Sequence, residues 1–324
     1  MQLLLPQTEI SPQALAAGQR QLVHDAAWAS VTGALSGGVV LVAFALMLGA
    51  GPLTIGLLAA IPFAAQVAQL PAIQVVERVR QRKRIGVIAL TAARVLILCL
   101  ALLPFAPADS PRLTWLVLMQ FAVTALSSFA ACAVNAWFHQ LLPTQGLGTF
   151  FAKRLVVGTA LASLATLAAG LWVDHTPFDD PLQAYALAFA GAGLAGLLSS
   201  LHLARTPEPL MRETGPTGPL WPKLKVPFKD ANFRSLLLLI GSWNFATNLA
   251  APFLAVYLIR QLGYGLSTVT GLWVASQAAN ALTLFSWGRV SAARRRHLHQ
   301  LRDHRPDVRG RAWVVVRTLR PGPA

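Results

Sequence analysis

Charge is what this sequence has least of. Of its 324 residues only 12% are Asp, Glu, Lys or Arg, about half the share of an ordinary soluble domain. Between Ala26 and Val76 there is not one. A soluble core does not need so long an uncharged run, whereas two membrane crossings of about 20 residues each do. Cysteine is nearly absent as well. Cys99 and Cys132 both lie inside apolar runs, which excludes a disulfide framework or a zinc-type spacing. There is no HExxH and no GxxxxGK[ST] phosphate loop, so the sequence offers neither a zinc peptidase nor ATP-driven transport by this chain. The start, MQLLLPQTEISPQALAAGQRQLVHD, lacks the basic region, apolar core and cleavage site of a signal peptide. Residues 1–25 read as a mildly amphipathic lead-in. Acids are few, 12 against 27 basic residues, and each is expected at a helix edge or in a loop. No buried carboxylate is therefore expected to carry a proton.

What is present is apolar sequence, 55% of the chain, cut into eight runs by charge and by Gly/Pro punctuation. The runs are Ala26–Leu48, Leu53–Val76, Ile85–Phe105, Leu113–Phe138, Leu155–Val173, Leu182–Leu203, Phe233–Ile259 and Ser267–Trp287. Each is long enough to cross a bilayer, and the class is a polytopic all-α membrane protein. Basic residues alternate between the connections. Arg78, Arg80, Arg82, Lys83 and Arg84 follow run two, Lys153 and Arg154 follow run four, and Arg205, Arg212, Lys223, Lys225 and Lys229 follow run six. The opposite connections hold Arg112 and Arg260 alone. Positive charge stays on the cytoplasmic side, so the amino terminus and the six-to-seven connection are expected in the cytoplasm.

That connection, 204–232, is the longest and is rich in Pro and Gly. Six crossings over 26–203, a linker, and a new start over 233–291 is the layout of a carrier built from parallel halves. A shift of 215 residues sets Gly56-Leu57 on Gly271-Leu272 and Glu77 on Ala292, which supports a repeat in layout more than in identity.

Three segments carry a family likeness. PAIQVVERVRQRKRIG, after run two, resembles the loop signature of the major facilitator superfamily, Gly-x-x-x-Asp-Arg-x-Gly-Arg-Arg/Lys. Glu77 stands for its acid, Arg78 for the next base, and Arg82 with Lys83 for the terminal pair, while Ile73 and Arg80 replace the glycines. LLPTQGLGTFFAKRLVVG resembles the four-to-five loop of bacterial members through Pro143, Gly148, Phe150, Phe151, Ala152 and Arg154. GRVS, at Gly288–Ser291, begins the signature again after run eight, but Ala292 stands where an Asp is expected. The resemblance covers about residues 20–291. It implies a complete six-helix first half and the first two helices of the second. It further implies a secondary carrier in a bacterial inner membrane, working by alternating access. Glu77, Arg78, Arg82 and Lys83 would then act as a conformational switch, or else only fix topology.

Residues 292–324 hold nine arginines, two aspartates and no lysine. High-GC coding sequence read out of frame yields such a composition, and a frameshift near codon 291 is the expectation. The competing reading is a basic tail on anionic lipid, worth about 1 kcal/mol per basic residue. Family members have twelve crossings, so a C-terminally truncated carrier is implied, with an inactive remnant as the second reading. The remnant would be unstable or would transport nothing. An intramembrane enzyme is the third.

Polar side chains inside the runs are the substrate-cavity candidates: Gln66, Asn135, Trp137, Trp243, Asn244, Asn248, Gln277 and Asn280. Asn244 and Asn248 are four apart and share a helix face. Such amides serve as interhelical glue or as ligand contacts. Arg94, well inside run three, is the strongest intramembrane charge anomaly, and it faces either a partner or backbone carbonyls. The partners implied are a small solute, neutral or amphipathic, the bilayer, and an unassigned coupling ion. No cofactor, metal or nucleic acid is called for.

Overall fold

The computed structural model describes residues 5–107, 109–143, 147–211, 222, 225–280 and 283. The chain forms two compact units, Met1–Leu272 and Trp273–Ala324. The arginine-rich tail and the out-of-frame expectation attached to it lie outside the described residues.

Helix α1 runs Pro12–Ser36, beginning well before the expected Ala26. Ser11 caps it, its side chain accepting the Ala14 N–H at 3.2 Å, and Pro12 takes the first turn, where no N–H is needed. Gly37 ends the helix, and Gly38, at φ 51°, restarts it as α2 (Gly38–Met47). Any Cβ at Gly38 would be strained. Gly49, at φ 86°, turns the chain into α3 (Pro52–Ala64). Pro62 lies inside α3 and is followed by a 3-10 turn at Ala65–Ala68 before α4 (Gln69–Val79). The Pro62 ring removes one N–H and crowds the turn before it, a position where helices bend. Then come α5 (Arg82–Leu100), α6 (Arg112–Leu141), α7 (Leu147–Asp174), α8 (Leu182–Ala204) and α9 (Ala231–Val256). A π turn, Tyr257–Gln261, closes α9, and α10 covers 266–280. Apart from Thr283, the rest of the expected eighth run lies outside the described residues.

Among the described residues, seven helical spans are long and apolar enough to cross a membrane: Pro12–Met47, Pro52–Val79, Arg82–Phe105, Arg112–Leu141, Leu147–Asp174, Leu182–Ala204 and Ala231–Gln261. Among the described residues the only extended pairing is one bridge between Gln7 and Pro209. A helix satisfies its own backbone, which a lipid environment demands.

Helix α1 packs along α7 and α8, and α5 packs along α6 and α8. The main core lies toward the end away from the basic loops. There Phe44 of α2 meets Phe189 of α8 edge-on, ring centroids 5.0 Å apart, with Tyr185 at 5.3 Å. A second cluster, at the basic end, holds Leu22, Trp137, Phe138, Leu141 and Leu203. Small residues let the helices approach, as in membrane bundles generally. A Cβ on Gly158 of α7 would sit 2.5 Å from Ser30 Oγ of α1. Leu118, Leu155, Val156 and Leu164 are exposed and form the kind of surface that lipid covers.

Candidate functional site

The basic end is tied by a strap. Residues 205–211 leave α8 and lie across the ends of α1, α5 and α6. Glu208, 1% exposed, is its centre. Its Oε1 accepts the Arg82 backbone N–H at 2.8 Å and pairs with the Arg82 guanidinium at 3.5 Å. The other Arg82 nitrogens donate to Ala136 O at 3.2 Å and Pro209 O at 3.0 Å. Trp137 donates its indole N–H to Pro207 O at 3.0 Å, and Gln140 donates to Leu210 O at 2.7 Å. Gln7 donates its backbone N–H to Glu208 O at 2.8 Å and accepts from Leu210 at 3.1 Å. Burial pushes the Glu208 carboxyl above its usual range, against the pull of the Lys83 and Arg82 backbone N–H groups and the Arg82 charge.

The expected switch residues therefore divide. Arg82 and Lys83 are buried at α5's first turn and meet Glu208. Glu77 is half-buried at the end of α4, and Arg78 is exposed. Between them and Arg82 stands Arg80, at φ 58° and donating to Met211 O at 3.3 Å. The acid that meets Arg82 comes from the strap rather than from Glu77's own loop.

A second constellation corrects the expectation that no carboxylate is buried. Because α1 starts at Pro12, Asp25 lies mid-helix and is 6% exposed. Arg154 of α7 pairs with it at 2.9 Å, and Ser199 of α8 donates to it at 2.8 Å. Arg154 also donates to Leu22 O at 3.0 Å and lies over the Phe138 ring at 4.9 Å. Arg94 interacts with Asp25 through charge rather than a direct bond. Its stem covers Gly196, and its Nε is buried without a hydrogen-bond partner among the described residues. Two guanidiniums thus converge on one carboxylate between α1, α5, α7 and α8.

The third constellation is a cavity of about 440 Å³ between α3 and α9, lined by Gly56, Ala59, Ala60, Phe63, Gly241, Asn244, Phe245, Asn248 and Phe253. Asn244 donates its amide to Ile240 O at 2.8 Å and Asn248 donates to Asn244 O at 2.9 Å, which leaves each side-chain oxygen free to accept. The cavity can take an uncharged solute with an apolar body and a hydrogen-bond donor.

Of the eight cavity candidates, the structure brings Asn244 and Asn248 to this cavity. Trp243 is exposed beside them. Gln66 and Gln69 bond each other on the exposed face near Pro62. Asn135 is exposed on α6, and Trp137 is committed to Pro207 at the basic end. Gln277 and Asn280 belong to the second unit. Asp25, Arg154 and Glu208 were missed as site residues. Asp25 had no sequence signal beyond sitting at the edge of an apolar run, Arg154 had only its place in the four-to-five loop motif, and Glu208 had only its place among basic neighbours.

Among known families, the model described as Major Facilitator Superfamily matches residues 26–302, most of the chain and eleven residues beyond Ser291. No curated protein and no solved structure matches it.

Proposed function

The chain belongs to the Major Facilitator Superfamily, and on that premise we propose that it is a secondary active carrier, not an enzyme, moving a small solute across a cell membrane by alternating access. The observation that carries the reading is the cavity between α3 and α9, walled by helices on both sides of the 204–232 linker, with Asn244 and Asn248 its polar groups. Carrier sites form between such halves. The basic loops support a reading in which the amino terminus and the strap face the cytoplasm of a bacterial inner membrane. The strap holds one packing of that end through charge-assisted bonds, and releasing Glu208 from Arg82 frees it for the other.

Solute binding tests the site. A ligand that binds the folded state alone raises its melting temperature. A panel of neutral sugars and amphipathic aromatics, screened on purified protein in detergent, should contain members that raise melting of the wild type but not of N244A/N248A. If every solute that shifts the wild type shifts the double variant equally, the cavity is not the site.

A second reading, a carrier body that does not transport, is favoured by α9. Among the described residues in the most apolar stretch of Ala231–Gln261 none is buried, and Leu238, Trp243 and Phe245 are about 70% exposed or more.

A further inference from the structure

At the end opposite the basic loops, a single carboxylate joins the first six crossings to the helices beyond the linker. Asp174 is the last residue of α7. Its Oδ1 accepts the Leu266 N–H at 2.9 Å, and its Oδ2 accepts the Ser267 N–H at 2.7 Å and the Ser267 hydroxyl at 2.5 Å. These are the unpaired N–H groups of α10's first turn, where negative charge is favoured. A carboxylate normally caps its own helix. Here it caps another, 92 residues on.

The backbone is shaped for the contact. A Cβ on Gly265 would lie 2.5 Å from Asp174 Oδ2, and one on Gly170, a turn earlier in α7, would lie 2.9 Å from Ser267 Cα and meet Thr270 Oγ1. Leu266, Val269 and Thr270 are buried, yet Asp174 itself is exposed, so water can take over its bonds. The same end is closed by α9, where Phe253, Val256 and Arg260 face Leu46, Ala50, Gly51, Pro52 and Ile55 across a small gap. At the basic end, by contrast, Phe233, Leu236 and Leu237 in the early turns of α9 are exposed.

We propose that Asp174 is a positioning residue of the transport cycle: it latches the first turn of α10 to α7, and the latch opens when this end admits solute. The proposal rests on the carrier reading. An exposed cap is strong enough to hold one state and weak enough to release it.

The test places a reporter cysteine at Ala50, fully buried in the closed end, in a chain with Cys99→Ser and Cys132→Ser. Alkylation by N-ethylmaleimide is timed on purified protein in detergent, where both ends meet the reagent. D174A is expected to speed alkylation about tenfold, the factor that about 1.4 kcal/mol of lost cap sets. D174E should restore slow alkylation, and G265A, which drives a methyl group against the carboxylate, should match D174A. Unchanged rates in D174A and G265A overturn the latch, as does a D174E no slower than D174A. If D174A does not fold, D174N and G265A decide the matter in the same way. Solute flux through the wild type is read separately. A wild type without flux removes the carrier reading and leaves the alkylation result to stand or fall by itself.

Discussion

Glu208 and Asp25 are the residues whose chemistry departs furthest from what their neighbours in sequence announce. Each is a carboxylate out of water beside a guanidinium, and removing one partner of a buried pair costs about 3–5 kcal/mol because the other charge is left uncompensated. E208A should therefore unfold far below the wild type in thermal melts, while E77A, at a half-exposed acid, should change stability by about 1 kcal/mol or less. Equal losses would return the switch to Glu77. D25A strands both Arg154 and Arg94, so it should destabilise more than R94M, which takes away only an arginine that lacks a direct bond to Asp25. The reverse order would mean that Arg94 holds the cluster. Arg82 and Lys83 were legible from their place after run two, since a basic cluster at a helix end is a topological marker. Their acid was not, because it arrives from 126 residues away and no local pattern encodes that distance. Arg80 is legible only in retrospect. It replaces a glycine of the family signature, and its φ of 58° shows why that position favours a residue without a Cβ.

The helices were visible as elements because hydropathy alone sets them. The six runs up to Leu203 match spans in the structure, and the ends of α8, Leu182–Ala204, lie within one residue of expectation. The errors are at polar starts. Helix α1 extends back to Pro12, and α7 back to Leu147, since an amphipathic turn satisfies its backbone in water as readily as in lipid and hydropathy does not register it. Interruptions at Gly37–Gly38 and Pro62 bend elements that an unbroken apolar run suggests are straight. Helix packing makes a testable contrast between two glycines. G158V drives side-chain atoms into Ser30 across the α1–α7 contact and should cost about 1–3 kcal/mol. G33A, with nothing within 4 Å of its Cβ, should be neutral or up to about 1 kcal/mol more stable by helix propensity. Thermal melts of the two variants in detergent decide it, and a destabilised G33A would show that α1 is packed at that face by something other than lipid.

For the whole molecule, the membrane class follows from composition and charge rhythm and the family from three loop segments and the match over residues 26–302, while the parts proposed to work are long-range contacts: the strap at the basic end, Asp174 at the other, and the cavity between α3 and α9. Asn244 and Asn248, which share a helix face inside an apolar run, both line that cavity. Trp137 misled because a tryptophan near a helix end can serve a cavity or a backbone carbonyl, and only its 3.0 Å bond to Pro207 settles which. The carrier claim meets its most direct test in sealed proteoliposomes. Radiolabelled neutral solutes are supplied outside, with the same solute unlabelled inside, and entry is followed for the wild type and for N244A/N248A. The expected result is saturable entry of at least one solute into wild-type vesicles, reduced about tenfold in the double variant by loss of the two amides. Entry no faster than into protein-free vesicles for every solute, or equal in the double variant, would contradict it.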